Sequence, residues 1–371
     1  MTLYYAKAKE FGLKYIEPIA EEIDKSNKFP EDLINQLGAH EFLKLNIPKE
    51  YGGLDEGYEA FVDVVVALSE FSAAVGLIYT MHGLLVWRIR NSNTKLKEII
   101  YEDIVKNFSL GADGTSESSA GVNIEYVRST AQPTTNQMYV LNGSKHMVTS
   151  GGYAKYYTFM SKNTDTHTIG TWIIPLETEG LSFDANQWDG LGLRGNESCP
   201  MTLKDVVLDK MWYAGNNLSL TNPDFENSLN VFHLGLASVC AGINLALCSA
   251  TLEHILNRQF PNNVRLADID TAKLYMGEIF SDAVTNLEAL QAISKQMDQD
   301  AKATQLSLLS VRINSAEKAL KSASLAKKLG GGKTYNKKNK IDRLFRDAQS
   351  ADILVPGTDR LKLMISENLV K

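Results

Sequence analysis

The hydrophobic pattern of this chain changes twice, and the order of these changes restricts the fold more than any other feature. Residues 1–107 show the apolar periodicity of helices. Across 108–215, short β-branched and aromatic runs alternate with turn residues, which predicts a small antiparallel β-domain. Across 216–371 the helical periodicity returns in longer stretches. The sequence therefore predicts three domains: a helical domain, a β-domain and a helical bundle.

The same patterns predict individual elements. Apolar periodicity predicts helices over 58–72, 75–91, 229–255, 268–299 and 304–329. Three runs predict strands, over 138–141, 156–160 and 169–174. The first of these runs precedes Asn142-Gly143, a pair typical of turns, so we expect the first strand to end there.

Length and composition are those of a soluble globular protein. The 371 residues exceed one compact core, and 44% hydrophobic and 22% charged residues are ordinary proportions. A net charge of -6 argues against a nucleic-acid partner. The most apolar window, 60–89, contains charged residues and predicts a buried helix, not a membrane span. The three cysteines lack metal-type spacing and fit reduced thiols, so we expect a cytoplasmic protein without a metal.

The most specific motif is a C-terminal block, residues 329–361. It contains a glycine triplet, a short basic loop, the run Arg343-Leu344-Phe345-Arg346-Asp347-Ala348, and the pair Gly357-Thr358. Four segments precede it in order: FPEDLINQLG, IPKEYGG, LNGSKHMVTSGG and GLGLRGNESCPMTLKDVVL. Together these segments resemble the acyl-CoA dehydrogenase family over nearly the whole chain. The resemblance implies an α+β fold with an N-terminal helical domain, a middle antiparallel β-domain and a C-terminal four-helix bundle.

The resemblance also implies an FAD cofactor between the β-domain and the C-terminal helices. Ser116 and Thr149 match hydroxyl contacts to the flavin. Met147 stands where a tryptophan usually stacks beside the ring, and a methionine can still pack against an aromatic edge. Val122 and Asn123 replace a Ser-Asp pair whose serine often contacts cofactor phosphate.

A second group of positions matches contacts at and near the cofactor diphosphate. Arg258 and Phe260 resemble an Arg-x-x-Phe-Gly motif that reaches the FAD of a neighbouring subunit, although the motif is one residue shorter here and proline replaces its glycine. Gly331 and Gly332 match the first two glycines of a Gly-Gly-x-Gly turn, in which threonine replaces the last glycine. Thr358 matches a threonine that is often a cofactor neighbour. Taken alone, the glycine triplet also fits the end of a helix.

The carboxylate that the family uses as a base is missing. The family places it either before the Gly-Thr pair, here Pro356, or on a helix at the position of Phe232. Neither side chain accepts a proton. His233 falls where many members carry an arginine facing the active site, and His82 lies on a helix pair that lines the acyl pocket in relatives. Both are predicted catalytic residues because imidazole exchanges protons near neutral pH, although each also fits a hydrogen-bonded core histidine.

Three functions follow from the resemblance and the missing base. The first is an FAD-dependent oxidoreductase that oxidises an acyl thioester, with hydride transfer to the flavin and a non-standard base. The second is a flavin-dependent monooxygenase on the same fold, which needs no base for an α-proton. The third is a non-catalytic member of the family. The resemblance favours the first, and it implies acyl-CoA or another acyl thioester, an electron-transferring flavoprotein or reductase, and a homo-oligomer, either dimer or tetramer.

Overall fold

The computed structural model of the protein describes residues 2–118, 126–215, 223–299 and 305–370, without the side chains of 223–227 and 262. The replaced Ser-Asp pair at Val122 and Asn123 lies outside the described residues. The helices and strands follow the predicted order, with helices first, a sheet in the middle and long helices last.

The N-terminal region is helical. Its α-helices are α1 (Leu3–Phe11), α2 (Ala20–Ser26), α3 (Glu31–Ala39), α4 (Tyr58–Phe71), α5 (Ala73–Arg88) and α6 (Thr94–Asn107). Ser72 separates α4 from α5 because it adopts an extended conformation, and its hydroxyl caps α5 by accepting a hydrogen bond from the Val75 N–H. Almost every side chain of α4 and α5 is buried, so neither helix has a polar face.

The middle region is one mixed β-sheet. Its strands are β1 (Gly111–Gly114), β2 (Thr130–Pro133), β3 (Met138–Val148), β4 (Tyr156–Asn163), β5 (Ile169–Pro175), β6 (Leu181–Phe183), β7 (Cys199–Asp209) and β8 (Tyr213–Gly215). The order is β6-β7-β3-β2-β4-β5-β8, and β1 pairs with β4. Most neighbours are antiparallel as predicted, but β1 and β2 each run parallel to β4.

The predicted end of β3 at Asn142-Gly143 is wrong. The strand continues to Val148, and its pairing with β7 shifts register between Leu141 and Gly143. Gly143 has a φ of 145°, a conformation that side chains other than glycine rarely adopt. The pair therefore forms an irregularity inside a long strand, where glycine permits a local change of backbone direction.

In the described part of the C-terminal region, three long α-helices and two short ones are present. They are α7 (Pro223–Asn257), α8 (Asp270–Gln299), α9 (Gln305–Gly330), α10 (Lys340–Ala348) and α11 (Thr358–Leu369). The long helices pack against one another, and α10 and α11 pack on α9. Residues Ser228–Asn257 are long and apolar enough to span a membrane, but 83% of their most apolar window is buried inside the protein. We interpret this segment as the central helix of a folded domain.

Helix α10 joins the other two regions. Arg346 binds Asp24 of α2 through two hydrogen bonds of 2.7 and 2.6 Å, and the Asp342 carboxylate through a third of 3.0 Å. Asp347 accepts a hydrogen bond of 2.7 Å from the Leu193 N–H in the β-domain. A bidentate arginine–carboxylate contact fixes orientation as well as distance. The three regions therefore meet in a defined geometry around the space between them.

Candidate active site

A cavity of about 640 Å³ lies where the three regions meet. This volume is in the range of small-molecule binding sites. The cavity is lined by helices α5 and α7, by the segment after β1, the turn after β3 and the loop before β7, and by the segment between α10 and α11. The cavity is therefore built from all three regions.

The β-domain side of the cavity presents hydroxyl groups. Ser116 and Thr149 both line it, and Thr149 Oγ1 lies 3.0 Å from Ser198 Oγ, which also lines it. The Ser116 carbonyl accepts a hydrogen bond of 2.7 Å from the N–H of His146. Met147 follows at a register shift in β3, with a φ of 57° and 51% of its surface exposed. The predicted flavin contacts Ser116, Met147 and Thr149 thus lie on one wall.

Another part of the lining is apolar, and we call it the apolar wall. Leu77 and Met81 of α5 and Phe232 and Leu236 of α7 contribute to it, and residues 353–356 complete it. Both positions at which the family places its base, Pro356 and Phe232, line the cavity. Proline also lacks a backbone N–H, so Pro356 supplies neither a base nor a hydrogen-bond donor.

Among the described residues, two carboxylates line the cavity, and both form ion pairs. Asp113 forms an ion pair with Arg88 at 3.0 Å, and Glu117 forms one with Lys145 at 2.6 Å. Burial alone would raise the pKa of Glu117, but hydrogen bonds from Lys145 and Ser129 hold that pKa below its ordinary value. Neither carboxylate is placed to act as a free base.

His233 lines the cavity from α7. Its Nδ1 is buried and has no hydrogen-bond partner within the described part of the chain. Burial, assisted by the positive charge of Arg312, lowers the pKa of His233 to about 3. The imidazole is therefore neutral at pH 7, with an unpaired ring nitrogen beside the apolar wall. Of the two predicted catalytic histidines, His233 is the one at the cavity.

His82 lies outside the residues that line the cavity. Its Nε2 is 2.7 Å from the carbonyl oxygen of Leu43, and its Nδ1 accepts a hydrogen bond of 3.0 Å from the Gly111 N–H. Burial lowers the pKa of His82 to about 4, so the ring is neutral. With both nitrogens bound to backbone groups, His82 connects α5 to β1. This geometry gives no support to the predicted catalytic role of His82.

The residues predicted to contact the cofactor diphosphate lie close to one another but do not line the cavity. Arg258 donates a hydrogen bond of 3.3 Å to the Gly330 carbonyl, and its guanidinium lies 5.1 Å from the centroid of Phe260. Gly331 has a φ of 54°, and a Cβ added at Gly332 would meet nothing within 4 Å. The end of α9 thus presents an open backbone next to a cation, a combination suited to an anion.

Thr358 is buried at the start of α11, and its hydroxyl donates a hydrogen bond to the Asp352 carboxylate. It does not line the cavity. Its contact instead closes the segment that presents residues 353–356 to the cavity, so the structure gives it a supporting position and not a direct one.

Several cavity residues escaped the sequence analysis: Arg88, Asp113, Glu117, His146, Trp188 and Asn196. A signal for one of them was present, because Arg88 interrupts the most apolar window of the chain. A buried arginine in an apolar helix needs a partner, and Asp113 supplies it from β1. Nothing in the sequence indicated that this pair would face a cavity.

Comparison with known proteins agrees with this fold. The model of the acyl-CoA dehydrogenase N-terminal domain matches residues 2–106, and that of the acyl-CoA dehydrogenase middle domain matches residues 112–206. An acyl-CoA dehydrogenase of Bacillus subtilis is 27% identical, over 98% of this chain and 96% of that protein. Together the two models match more than half of the chain, which belongs to the acyl-CoA dehydrogenase family.

Solved structures share the fold at lower identity. Butyryl-CoA dehydrogenase from Megasphaera elsdenii matches with a TM-score of 0.92 and 20% identity, over 99% of this chain and 97% of that one. FMN-bound TdsC from Paenibacillus sp. A11-2 matches with a TM-score of 0.87 and 16% identity, over 98% and 96%. The same chain path thus occurs in proteins with different names and ligands.

The cavity residues fit a flavin ring. Besides the hydroxyl wall, four buried nitrogen atoms at the cavity have no hydrogen-bond partner among the described residues: Arg88 Nε, Trp188 Nε1, Asn196 Nδ2 and His233 Nδ1. Buried polar atoms are normally paired, so unpaired ones around a cavity favour a polar ligand. An aromatic ring with carbonyl oxygens and ring nitrogens satisfies this mixture of polar and apolar walls.

Proposed function

We propose that this protein is an FAD-dependent oxidoreductase that acts on an acyl thioester in the cavity. One observation supports this function above the others: one cavity contains both a hydroxyl-lined wall and an apolar wall, inside a fold of the acyl-CoA dehydrogenase family. Bound flavin supplies a hydride acceptor for the acyl chain. The protein supplies the shape of the cavity, its polar contacts and the exclusion of water.

Ser116 and Thr149 hold the flavin ring through their hydroxyls, and Met147 packs beside it. The apolar wall of Leu77, Met81 and Leu236 binds the acyl chain. Removing this apolar surface from water contributes about 25 cal/mol per Å² to binding. Arg258 and the glycines at the end of α9 contact phosphate of the cofactor, at a site that in the family is shared between subunits. This arrangement favours a homo-oligomer, either a dimer or a tetramer.

The proton from the carbon next to the thioester needs an acceptor. Among the described cavity residues with an unpaired nitrogen, His233 is the one whose side chain can accept a proton. A carbon acid is weak, and a base with a pKa of about 3 removes its proton slowly. We therefore expect slow dehydrogenation, with electrons passing to an electron-transferring flavoprotein or a reductase.

A flavin-dependent monooxygenase is the second candidate. The observation that favours it is the weak proton acceptor. Neither Pro356 nor Phe232 supplies a base, and the two carboxylates that line the cavity in the described part of the chain are ion-paired. Oxygen activation by reduced flavin needs no base for an α-proton. The shared fold of TdsC is consistent with this candidate.

Anaerobic absorbance spectroscopy separates these functions. Purified protein is saturated with FAD, freed of excess cofactor and mixed with a series of acyl-CoA thioesters. The proposal predicts loss of the visible flavin band with at least one thioester. Retained colour with every thioester, followed by oxygen-dependent turnover with a reductase, identifies the monooxygenase instead. A colourless protein that takes up no FAD identifies a non-catalytic member.

His233→Gln tests the proton acceptor in the same assay. Glutamine keeps a polar side chain of similar size but exchanges no proton at neutral pH. We expect the rate of flavin bleaching to fall about a hundredfold or more, which is the usual contribution of a general base. The FAD dissociation constant serves as the control for site integrity, and an unchanged bleaching rate removes His233 from the mechanism.

A further inference from the structure

A buried ion pair lines the cavity at the end of α5. Arg88 and Asp113 have side chains that are 4% and 6% exposed, and Arg88 Nε lies 3.0 Å from Asp113 Oδ1. Removing two charges from water costs more than their attraction returns unless further contacts satisfy them. The hydrogen bonds that each partner makes therefore indicate the function of the ion pair.

Among the described residues, Asp113 has hydrogen-bond partners for both carboxylate oxygens, whereas Arg88 has N–H groups without a good acceptor. Asp113 accepts hydrogen bonds from Thr158 at 2.5 Å and from Thr115 at 2.8 Å. Arg88 donates from Nη2 to Thr115 at 3.1 Å, while Nη1 has only the sulfur of Met160 at 4.0 Å. The Nε contact with Asp113 is an ion pair without the alignment of a hydrogen bond. A guanidinium has five N–H groups, so donors remain for another acceptor.

The position of Arg88 indicates what that acceptor is. Leu77, Met81 and Arg88 follow one face of α5, and Arg88 lies eleven positions after Leu77, which is about 16 Å along the helix. Leu77 and Met81 belong to the apolar wall. Arg88 instead contacts Thr115, which directly precedes the proposed flavin contact Ser116. The unused donors thus lie at the flavin end of the cavity and not at the acyl end.

We propose that Arg88 donates hydrogen bonds to the oxygen-bearing edge of the flavin ring, and that its positive charge makes the bound flavin easier to reduce. This inference rests on the proposed function. A ring that takes up electrons gains negative charge, and a nearby cation in a dry site stabilises that charge. Asp113 holds the guanidinium in place and partly offsets its charge. The two residues therefore act on the reduction potential with opposite signs.

Reduction potentials of bound FAD test this inference, in wild type and in Arg88→Met, Asp113→Asn and the double variant. We expect Arg88→Met to shift the ratio of oxidised to reduced flavin about tenfold toward the oxidised form, which is about 30 mV for a two-electron couple. Asp113→Asn shifts it about tenfold the other way. The double variant leaves no buried charge unpaired, and its potential should lie near that of wild type because the two shifts cancel. If Arg88→Met fails to fold, the double variant is compared with Asp113→Asn, and the ratio should then differ about tenfold toward the oxidised form.

Shifts of opposite sign in the reduction potential distinguish this inference from a purely structural role of the ion pair. In that case the substitutions would lower the melting temperature without changing the potentials. Potentials that stay equal, or that move in the same direction in Arg88→Met and Asp113→Asn, overturn it. An Arg88→Met variant with an unchanged potential and a raised KM for acyl groups with a polar end places Arg88 at the substrate and also overturns it. If wild type binds no FAD, the proposed function fails and this inference with it.

Discussion

Restoring a carboxylate to the cavity should convert a slow dehydrogenase into a faster one. Phe232 lines the cavity from α7, at one of the two positions where the family places its base, and its ring centroid lies 5.9 Å from that of His233. Phe232→Glu keeps the helix and directs a carboxylate at the same space. Apolar surroundings raise the pKa of a carboxyl group toward neutrality, the range in which a general base is most effective.

Phe232→Glu should cost a modest free energy of packing and increase the rate of proton transfer by a large factor. Phe232 is partly exposed, so its replacement costs about 1 to 3 kcal/mol of packing, whereas a placed general base contributes about a hundredfold to ten-thousandfold in rate. The assay is anaerobic stopped-flow bleaching of bound FAD by an acyl-CoA thioester. Phe232→Gln is the matched control, because it loses the same packing without gaining a base. Equal bleaching rates in the two variants, with FAD bound in both, would refute the proton-transfer argument.

Three further predictions concern other residues of the structure. His82→Leu leaves the Leu43 carbonyl and the Gly111 N–H unpaired, so the free energy of unfolding should fall by about 2 to 6 kcal/mol in denaturant titrations, with FAD affinity of the folded protein unchanged. Burial raises the pKa of Asp347 to about 6 from its ordinary value, so the ionised carboxylate destabilises the folded protein. This destabilisation is absent below about pH 4 and complete above about pH 6. Asp347→Asn should therefore be more stable than wild type at pH 8 by up to about 3 kcal/mol and equal to it at pH 4. Thr149→Val removes one hydroxyl from the flavin wall and should weaken FAD binding about tenfold in fluorescence titrations.

Much of the fold was predictable because its long elements have strong periodicity. The helix predicted over 58–72 is α4 (Tyr58–Phe71), and that predicted over 268–299 is α8 (Asp270–Gln299). The strand predicted over 138–141 was too short, because Asn142-Gly143 is typical of turns and the sequence gives no sign of the partner strand that continues the pairing. Parallel pairing of β1 and β2 with β4 was also missed, since it depends on contacts between distant segments.

The site was predictable where motif positions fix side chains relative to the sheet. Ser116, Met147 and Thr149 lie on one wall, as their positions in the family segments implied. His82 was different because α5 is buried all round, so the periodicity does not tell which face borders a cavity. His82 is one residue after Met81, about 100° around the helix, and it faces the backbone of its neighbours instead.

Every functional inference drawn here requires that the cavity binds a flavin. The most direct measurement is the visible absorption spectrum of the purified protein after saturation with FAD and removal of excess cofactor. We expect flavin absorption bands that correspond to one bound FAD per protein chain. This FAD should be lost when Ser116 and Thr149 are both replaced by residues without hydroxyls. A spectrum without flavin bands in the folded wild-type protein would contradict the proposed function.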